Sequence, residues 1–161
     1  MASAKGLETY LNDHLAGSAM GSDLASKISS EYADTPFGPF LAELAHGIEQ
    51  DKVTLEGLME RLGIQRSPVK QAAGWIAEKA SRLKLSGTMT GDQNLKRLLE
   101  FETLSLGIEG KLSLWRTLLE VSDSYTELVA TDLARLAKRA ETQRSDLEGH
   151  RLRVAKEALT A

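Results

Sequence analysis

The chain has 161 residues, of which 42% are hydrophobic and 27% are charged, and its formal net charge is −3. This length supports one domain with a sizeable core over residues 1–161, and the negative charge argues against non-specific binding to nucleic acid. The absence of cysteine excludes disulfides, iron–sulfur clusters, thiolate zinc sites and thiol nucleophiles. Abundant Ala, Leu, Glu, Lys and Arg, with only 3 prolines, predict an all-α fold.

Two long amphipathic helices are predicted in the first third of the chain. Helix A runs from about Leu7 to Tyr32, and His14 fills a gap in its row of apolar and small residues. Around the middle of this helix, residues 17–22 include two glycines and two serines, which allow close helix approach or leave room. Thr35-Pro36 is typical of a helix start and predicts helix B to about Leu62, with Asp51 on its apolar stripe.

A further helix and helix C are predicted next. Ser67-Pro68 predicts the start of a helix that ends near Leu85. Helix C is predicted from about Leu95 to Val121, with apolar residues over more than half of its circumference. Glu102 and Glu109 lie on this helix seven residues apart, which places them on one face.

Helix D is predicted from about Thr126 to near the C-terminus, with His150 on its apolar stripe. Its basic residues alternate with acidic ones, a pattern that predicts a salt-bridged, solvated face rather than a phosphate-binding surface. Lys111 and Arg151 adjoin Glu109 and His150 in sequence, where they could supply countercharge or extend to solvent.

The order of the helices predicts two antiparallel hairpins, A–B and C–D, joined by a crossover helix. This order resembles the ferritin-like four-helix bundles. The segments 11–17, 67–75 and 106–111 are similar to a bacterial family of ferritin-like helical proteins with no known activity. The resemblance implies an up-down four-helix bundle with an additional crossover helix between B and C, and such bundles often pair as homodimers along a helix face.

The resemblance also implies a two-metal site of iron or manganese, which takes carboxylates and two Glu-x-x-His motifs from the helices. Glu43 and His46 have that spacing but lie off the apolar stripe of helix B. Glu148 and His150 are only two residues apart and cannot share a face. An intact two-metal site is therefore not expected. The alternative is a metal site that is built differently and uses His14, Asp51 and Glu109 as its ligands.

Topology decides which core polar residues meet. If helices B and C are parallel, which the crossover favours, His14, Asp51 and Glu109 approach one level, and Glu102 and His150 form a second pair. If they are antiparallel, one layer holds four residues and is the more convincing metal site. That layer would contain His14, Asp51, Glu102 and His150.

Five ionisable residues on apolar stripes therefore carry the functional hypothesis: His14, Asp51, Glu102, Glu109 and His150. Because buried charge is costly, each needs a partner, a metal ion or ordered water. The favoured hypothesis is a non-catalytic binding or structural protein whose polar network fixes helix register. The alternative is a metal-binding protein or metal-dependent oxidoreductase. Neither a catalytic nucleophile nor a phosphate loop is recognisable.

The expected location is the cytoplasm. No apolar run of 18 residues occurs, and Glu8, Asn12, Asp13 and His14 interrupt the N-terminal stretch where a signal peptide would be apolar. We accordingly expect neither a membrane nor a nucleic acid among the partners.

Overall fold

The computed structural model describes residues 2–67 and 91–160, and every regular element in these ranges is helical. The elements are α1 (Ala2–Glu31), α2 (Gly38–Arg61), α3 (Gln93–Glu120), a 3-10 turn (Ser122–Ser124), α4 (Thr126–Val129) and α5 (Leu133–Leu159). The predicted all-α class is confirmed. The helix predicted to follow Ser67 lies outside the described residues.

Two helix starts differ from the prediction. A turn follows α1, and α2 begins at Gly38 rather than directly after Thr35. The Thr35 hydroxyl accepts a hydrogen bond from the Phe37 amide at 3.2 Å, so this side chain stabilises the turn. The long helix predicted from Thr126 is interrupted after α4, because the Asp132 carboxylate accepts from the Arg135 amide at 3.1 Å and caps a new helix.

α2 and α3 run parallel. Near their N-terminal ends, the rings of Phe37 and Phe101 are 5.5 Å apart, and farther along Asp51 contacts Lys111. This is the arrangement that the sequence favoured. α1 runs antiparallel to both, since it packs as a hairpin with α2 and its C-terminal end contacts the start of α3 through Tyr32.

α5 packs along α3 in the opposite direction. Glu102, early in α3, pairs with Arg151 late in α5, whereas Glu109 pairs with Arg144, about two turns earlier in α5. All four long helices contribute to one apolar core, whose largest fully buried side chains include Trp115 and Phe101. None of the helices in the described ranges is long and apolar enough to cross a membrane.

Candidate functional site

A cavity of about 310 Å³ lies between α1, α2 and α3. It stands at the lower end of the volumes that ligand pockets usually have. Its walls are mainly apolar, and the lining residues include Asp13, His14, Gly21, Asp51, Lys52, Gly107, Gly110, Lys111 and Trp115.

Glycines on two facing helices leave this space open. Gly21 on α1 and Gly107 and Gly110 on α3 line the cavity, and a Cβ atom added at any of the three would meet no neighbouring atom within 4 Å. Glycine inside a helix is less favourable than alanine by about 0.5–1 kcal/mol. Close helix packing therefore does not explain why glycine occupies these three positions. The absence of a side chain there leaves open space in the cavity.

His14 lies in the cavity wall on α1. Its ring contacts that of Tyr10, with 4.5 Å between the centroids, and it makes no hydrogen bond to any described residue. Burial lowers the pKa of His14, and the neighbouring Asp13 carboxylate opposes this shift in part. The neutral imidazole that burial favours offers one donor and one acceptor.

Asp51 is the buried end of a cluster that joins three helices. Its side chain is 2% exposed and accepts from Lys111 Nζ at 2.5 Å and from the Arg139 guanidinium. The same Lys111 nitrogen donates to Gln143 Oε1 at 2.5 Å. We call Asp51, Lys111, Arg139 and Gln143 the Asp51 cluster; its Asp51 and Lys111 also line the cavity.

The Lys111 ammonium is held in a setting that disfavours its charge. Burial lowers the pKa of Lys111, and the nearby Arg139 guanidinium lowers it further, while Asp51 acts in the opposite direction. The Arg139 Nε atom is itself buried without a hydrogen-bond partner among the described residues. The cluster thus brings two cationic side chains to a single carboxylate.

Glu109 and Glu102 do not lie in the core. The Glu109 side chain is 43% exposed and pairs with Arg144, and the Glu102 side chain is 44% exposed and pairs with Arg151 at 3.1 Å. Each pair joins α3 to α5 at the surface. Glu109 therefore does not join His14 and Asp51 at the cavity.

His150 is placed away from the cavity, against two aromatic rings of the α1–α2 hairpin. Its ring lies 4.2 Å from that of Phe40 and 5.7 Å from that of Phe37, measured between centroids. Its Nδ1 atom is buried with no hydrogen-bond partner in the described part of the chain. Burial, and secondarily the Arg153 charge, lowers the pKa of His150. The His150 ring therefore packs as an apolar group. Glu102, its expected partner, pairs with Arg151 instead.

A buried carboxylate that the sequence analysis did not single out is Glu100. It is 2% exposed and accepts from the Tyr32 hydroxyl at 2.6 Å, with Lys96 Nζ at 3.7 Å. A signal was present, because Glu100 precedes the core residues Leu104 and Ile108 by four and eight positions. That spacing places Glu100 on their helix face.

The described residues do not fit a metal ion. Within residues 2–67 and 91–160, no group of three or more His, Asp or Glu side chains is arranged to hold one. Asp51 is already engaged by two cations, and Glu109 is paired at the surface. The residues named for a metal site from the sequence, His14, Asp51 and Glu109, therefore offer no ready set of ligands.

No family model, curated protein or solved structure matches this chain. The support for a function accordingly comes from the cavity and the residues in its walls.

Proposed function

We propose that this chain is a non-catalytic binding protein, built on a ferritin-like helical arrangement, that holds a small, largely apolar molecule in the cavity between α1, α2 and α3. The observation that carries the proposal is the open space beside Gly21, Gly107 and Gly110. A structural protein gains nothing from this space, since alanine at each position would raise helix stability. Parallel α2 and α3 are what a ferritin-like crossover requires, and they support that part of the proposal.

The cavity wall supports binding better than catalysis. Among the described residues, His14 is the only histidine that lines it, and no described hydroxyl is hydrogen-bonded to that ring. Serine chemistry normally pairs a nucleophile with such a base. A metal-dependent reaction is not proposed, because no group of three or more His, Asp or Glu side chains among the described residues is arranged to hold a metal ion, and Asp51 is already engaged by two cations.

The cavity volume stands at the lower end of the usual range for ligand pockets, which favours a small ligand. Octanamide, with about ten non-hydrogen atoms, is small and carries no charge, which makes it a suitable first probe. At about 0.3 kcal/mol per non-hydrogen atom, such a molecule would bind with about 3 kcal/mol, a Kd on the order of several millimolar. A better-matched ligand would bind more tightly.

Trp115 lines the cavity and reports occupancy through its fluorescence. We expect octanamide to change the tryptophan emission saturably, and to do so also in W75F, where Trp115 is the remaining tryptophan. Gly107→Leu would place a side chain in the open space and should abolish the change. Gly149→Leu is the matched control, because Gly149 lies on α5, does not line the cavity and also has open space at its Cβ position.

Circular dichroism of both leucine variants establishes that they remain helical. Binding that is lost in Gly107→Leu and kept in Gly149→Leu supports the proposal. No saturable change in the parent protein, or equal binding by a folded Gly107→Leu variant, would overturn it.

A further inference from the structure

The Asp51 cluster, of which Asp51 and Lys111 line the cavity, holds more positive than negative charge. Asp51 supplies one negative charge, whereas Lys111 and Arg139 supply two positive ones, and Gln143 is neutral. Lys111 is 10% exposed and Asp51 is 2% exposed, so water screens these two charges poorly, whereas Arg139 is 27% exposed. A single negative charge in the cavity would balance the cluster.

Lys111 also has a donor to offer. An ammonium group has three N–H donors, and Lys111 uses one on Asp51 and one on Gln143. The third has no acceptor within residues 2–67 and 91–160, and Lys111 lines the cavity. A ligand oxygen beside Lys111 would therefore meet both an unused donor and an uncompensated charge.

The other charged groups around the cavity do not remove this imbalance. Lys52 on α2 is paired with Glu49 at 3.0 Å, so that pair is neutral. Asp13 on α1 is exposed to solvent beside His14, where water screens its charge. The excess positive charge of the cluster, which comes from Arg139 next to the wall pair Asp51–Lys111, therefore remains, and the rest of the lining is mostly apolar.

Building on the binding function proposed above, we infer that the ligand is an amphiphilic monocarboxylate with a short aliphatic chain, whose carboxylate accepts a hydrogen bond from Lys111 while its chain fills the apolar space beside Gly21 and Gly107. One excess charge and one unused donor match a monocarboxylate; a phosphate group brings more charge and more acceptors than this wall can satisfy. The small volume of the cavity favours a short chain.

The test compares octanoate with octanamide, which share size and chain and differ in charge. In the parent protein at neutral pH, octanoate should bind at least about tenfold more tightly, the fold-change expected of one charge-assisted hydrogen bond. Lys111→Met keeps the length of the side chain and removes its charge, so the preference for octanoate over octanamide should disappear. Lys138→Met is the control, because it makes the same change of net charge at an exposed position on α5 outside the cavity.

A second measurement does not depend on any variant. Carbon-13 NMR of carboxyl-labelled octanoate follows the titration of the bound ligand, and a neighbouring cation should hold its pKa below that of octanoate in water. Burial without a cation would raise that pKa instead.

The outcomes separate this inference from the binding function on which it rests. Octanamide binding as tight as octanoate binding, or a raised pKa of the bound carboxyl group, would overturn the inference and leave the binding function standing. A preference for octanoate that survives in a folded Lys111→Met variant would also overturn it. If octanamide does not bind, the binding function fails and the inference fails with it.

Discussion

Asp51 and Lys111 join the parallel helices α2 and α3 at the wall of the cavity, with 2.5 Å between Asp51 Oδ2 and Lys111 Nζ. Arg139 from α5 contacts the other carboxylate oxygen. One buried carboxylate thus ties three helices together and also places a cation beside the open space. The same residue pair therefore has a part in stability and in the proposed recognition of a ligand.

Removal of Asp51 should destabilise the protein more than removal of Lys111. Asp51→Ala leaves Lys111 and Arg139 without their carboxylate, and breaking a buried pair in this way costs about 3–5 kcal/mol. Lys111→Met keeps the contact between Asp51 and Arg139, so its cost should be clearly smaller. Urea unfolding at pH 7 measures both values.

The matched control for this comparison is Glu109→Ala. Glu109 also pairs with an arginine, but at the surface, where such pairs are worth under about 1 kcal/mol. Lys111→Met costing as much as Asp51→Ala would show that Arg139 does not support the carboxylate.

The hydroxyl of Tyr32 should make a measurable contribution to stability. It donates to the buried Glu100 carboxylate at 2.6 Å, and burial together with this carboxylate raises the pKa of Tyr32. Tyr32→Phe should lower the free energy of unfolding by about 1.5–3 kcal/mol, the range for a hydrogen bond to a charged group. Tyr10→Phe is the control, because it removes the same atom and the Tyr10 hydroxyl has no hydrogen-bond partner among the described residues. Equal losses in the free energy of unfolding in the two variants would contradict this account.

His150 should make stability depend on pH. Burial, and then Arg153, lowers its pKa below the ordinary 6.5, with Asp146 opposing in part. The unfolded chain therefore takes up the proton first as pH falls below about 6.5, and folded stability is lost as pH falls through the lower pKa of the folded state. Urea unfolding at pH 7 and pH 5 should show a smaller loss in His150→Leu than in the parent protein.

The control for the pH dependence is His46→Leu, since His46 is exposed on α2 and hydrogen-bonded to Gln50. His14 also has a lowered pKa, so part of the loss should remain in His150→Leu. If the loss of unfolding free energy between pH 7 and pH 5 is the same in His150→Leu as in the parent protein, the His150 ring takes up its proton in the folded state without an energetic cost.

Two glycines should respond oppositely to alanine. A Cβ atom at Gly38 would overlap the carbonyl oxygen of Ala33 in the α1–α2 turn, so Gly38→Ala should cost about 1–3 kcal/mol. A Cβ atom at Gly149 would meet nothing within 4 Å, so Gly149→Ala should add about 0.5–1 kcal/mol. Thermal unfolding compares the two, and stabilisation by Gly38→Ala would contradict the described turn.

The sequence predicted the helices well because apolar periodicity is a local signal. The spacing of Leu55 and Leu58 with Asp51 correctly indicated that this carboxylate is buried. The interruption at residues 130–132 was not predicted, since the apolar spacing continues across it and only the capping contact of Asp132 ends the pattern. Periodicity reports which face is buried and leaves such capping contacts unresolved.

Burial of individual glutamates in α3 was harder to predict. Apolar residues cover more than half of this helix, so neighbouring positions compete for the buried face, and Glu102 was assigned to it instead of Glu100. Pairing is set by another helix: Arg144 and Arg151 of α5 hold Glu109 and Glu102 at the surface. Such contacts depend on how two helices are rotated against each other, which their separate sequences do not specify.

The cavity could not be deduced from the glycines alone. Small residues in helices permit close approach in one context and leave open space in another, and the choice depends on the facing helix. Here Gly21 of α1 and Gly107 of α3 both border the same space. Only the packing of α1, α2 and α3 shows that the space is not filled by the described side chains.

Nitrogen–proton NMR of the parent protein during an octanamide titration shows directly whether a small molecule occupies the cavity. We predict saturable shifts concentrated on cavity residues, with the amide signals of Gly21, Gly107 and Gly110 among the most affected and that of Gly149 unchanged. Shifts that do not saturate, or shifts that spread over exposed residues while the amide signals of these three glycines do not change, would contradict the proposed binding.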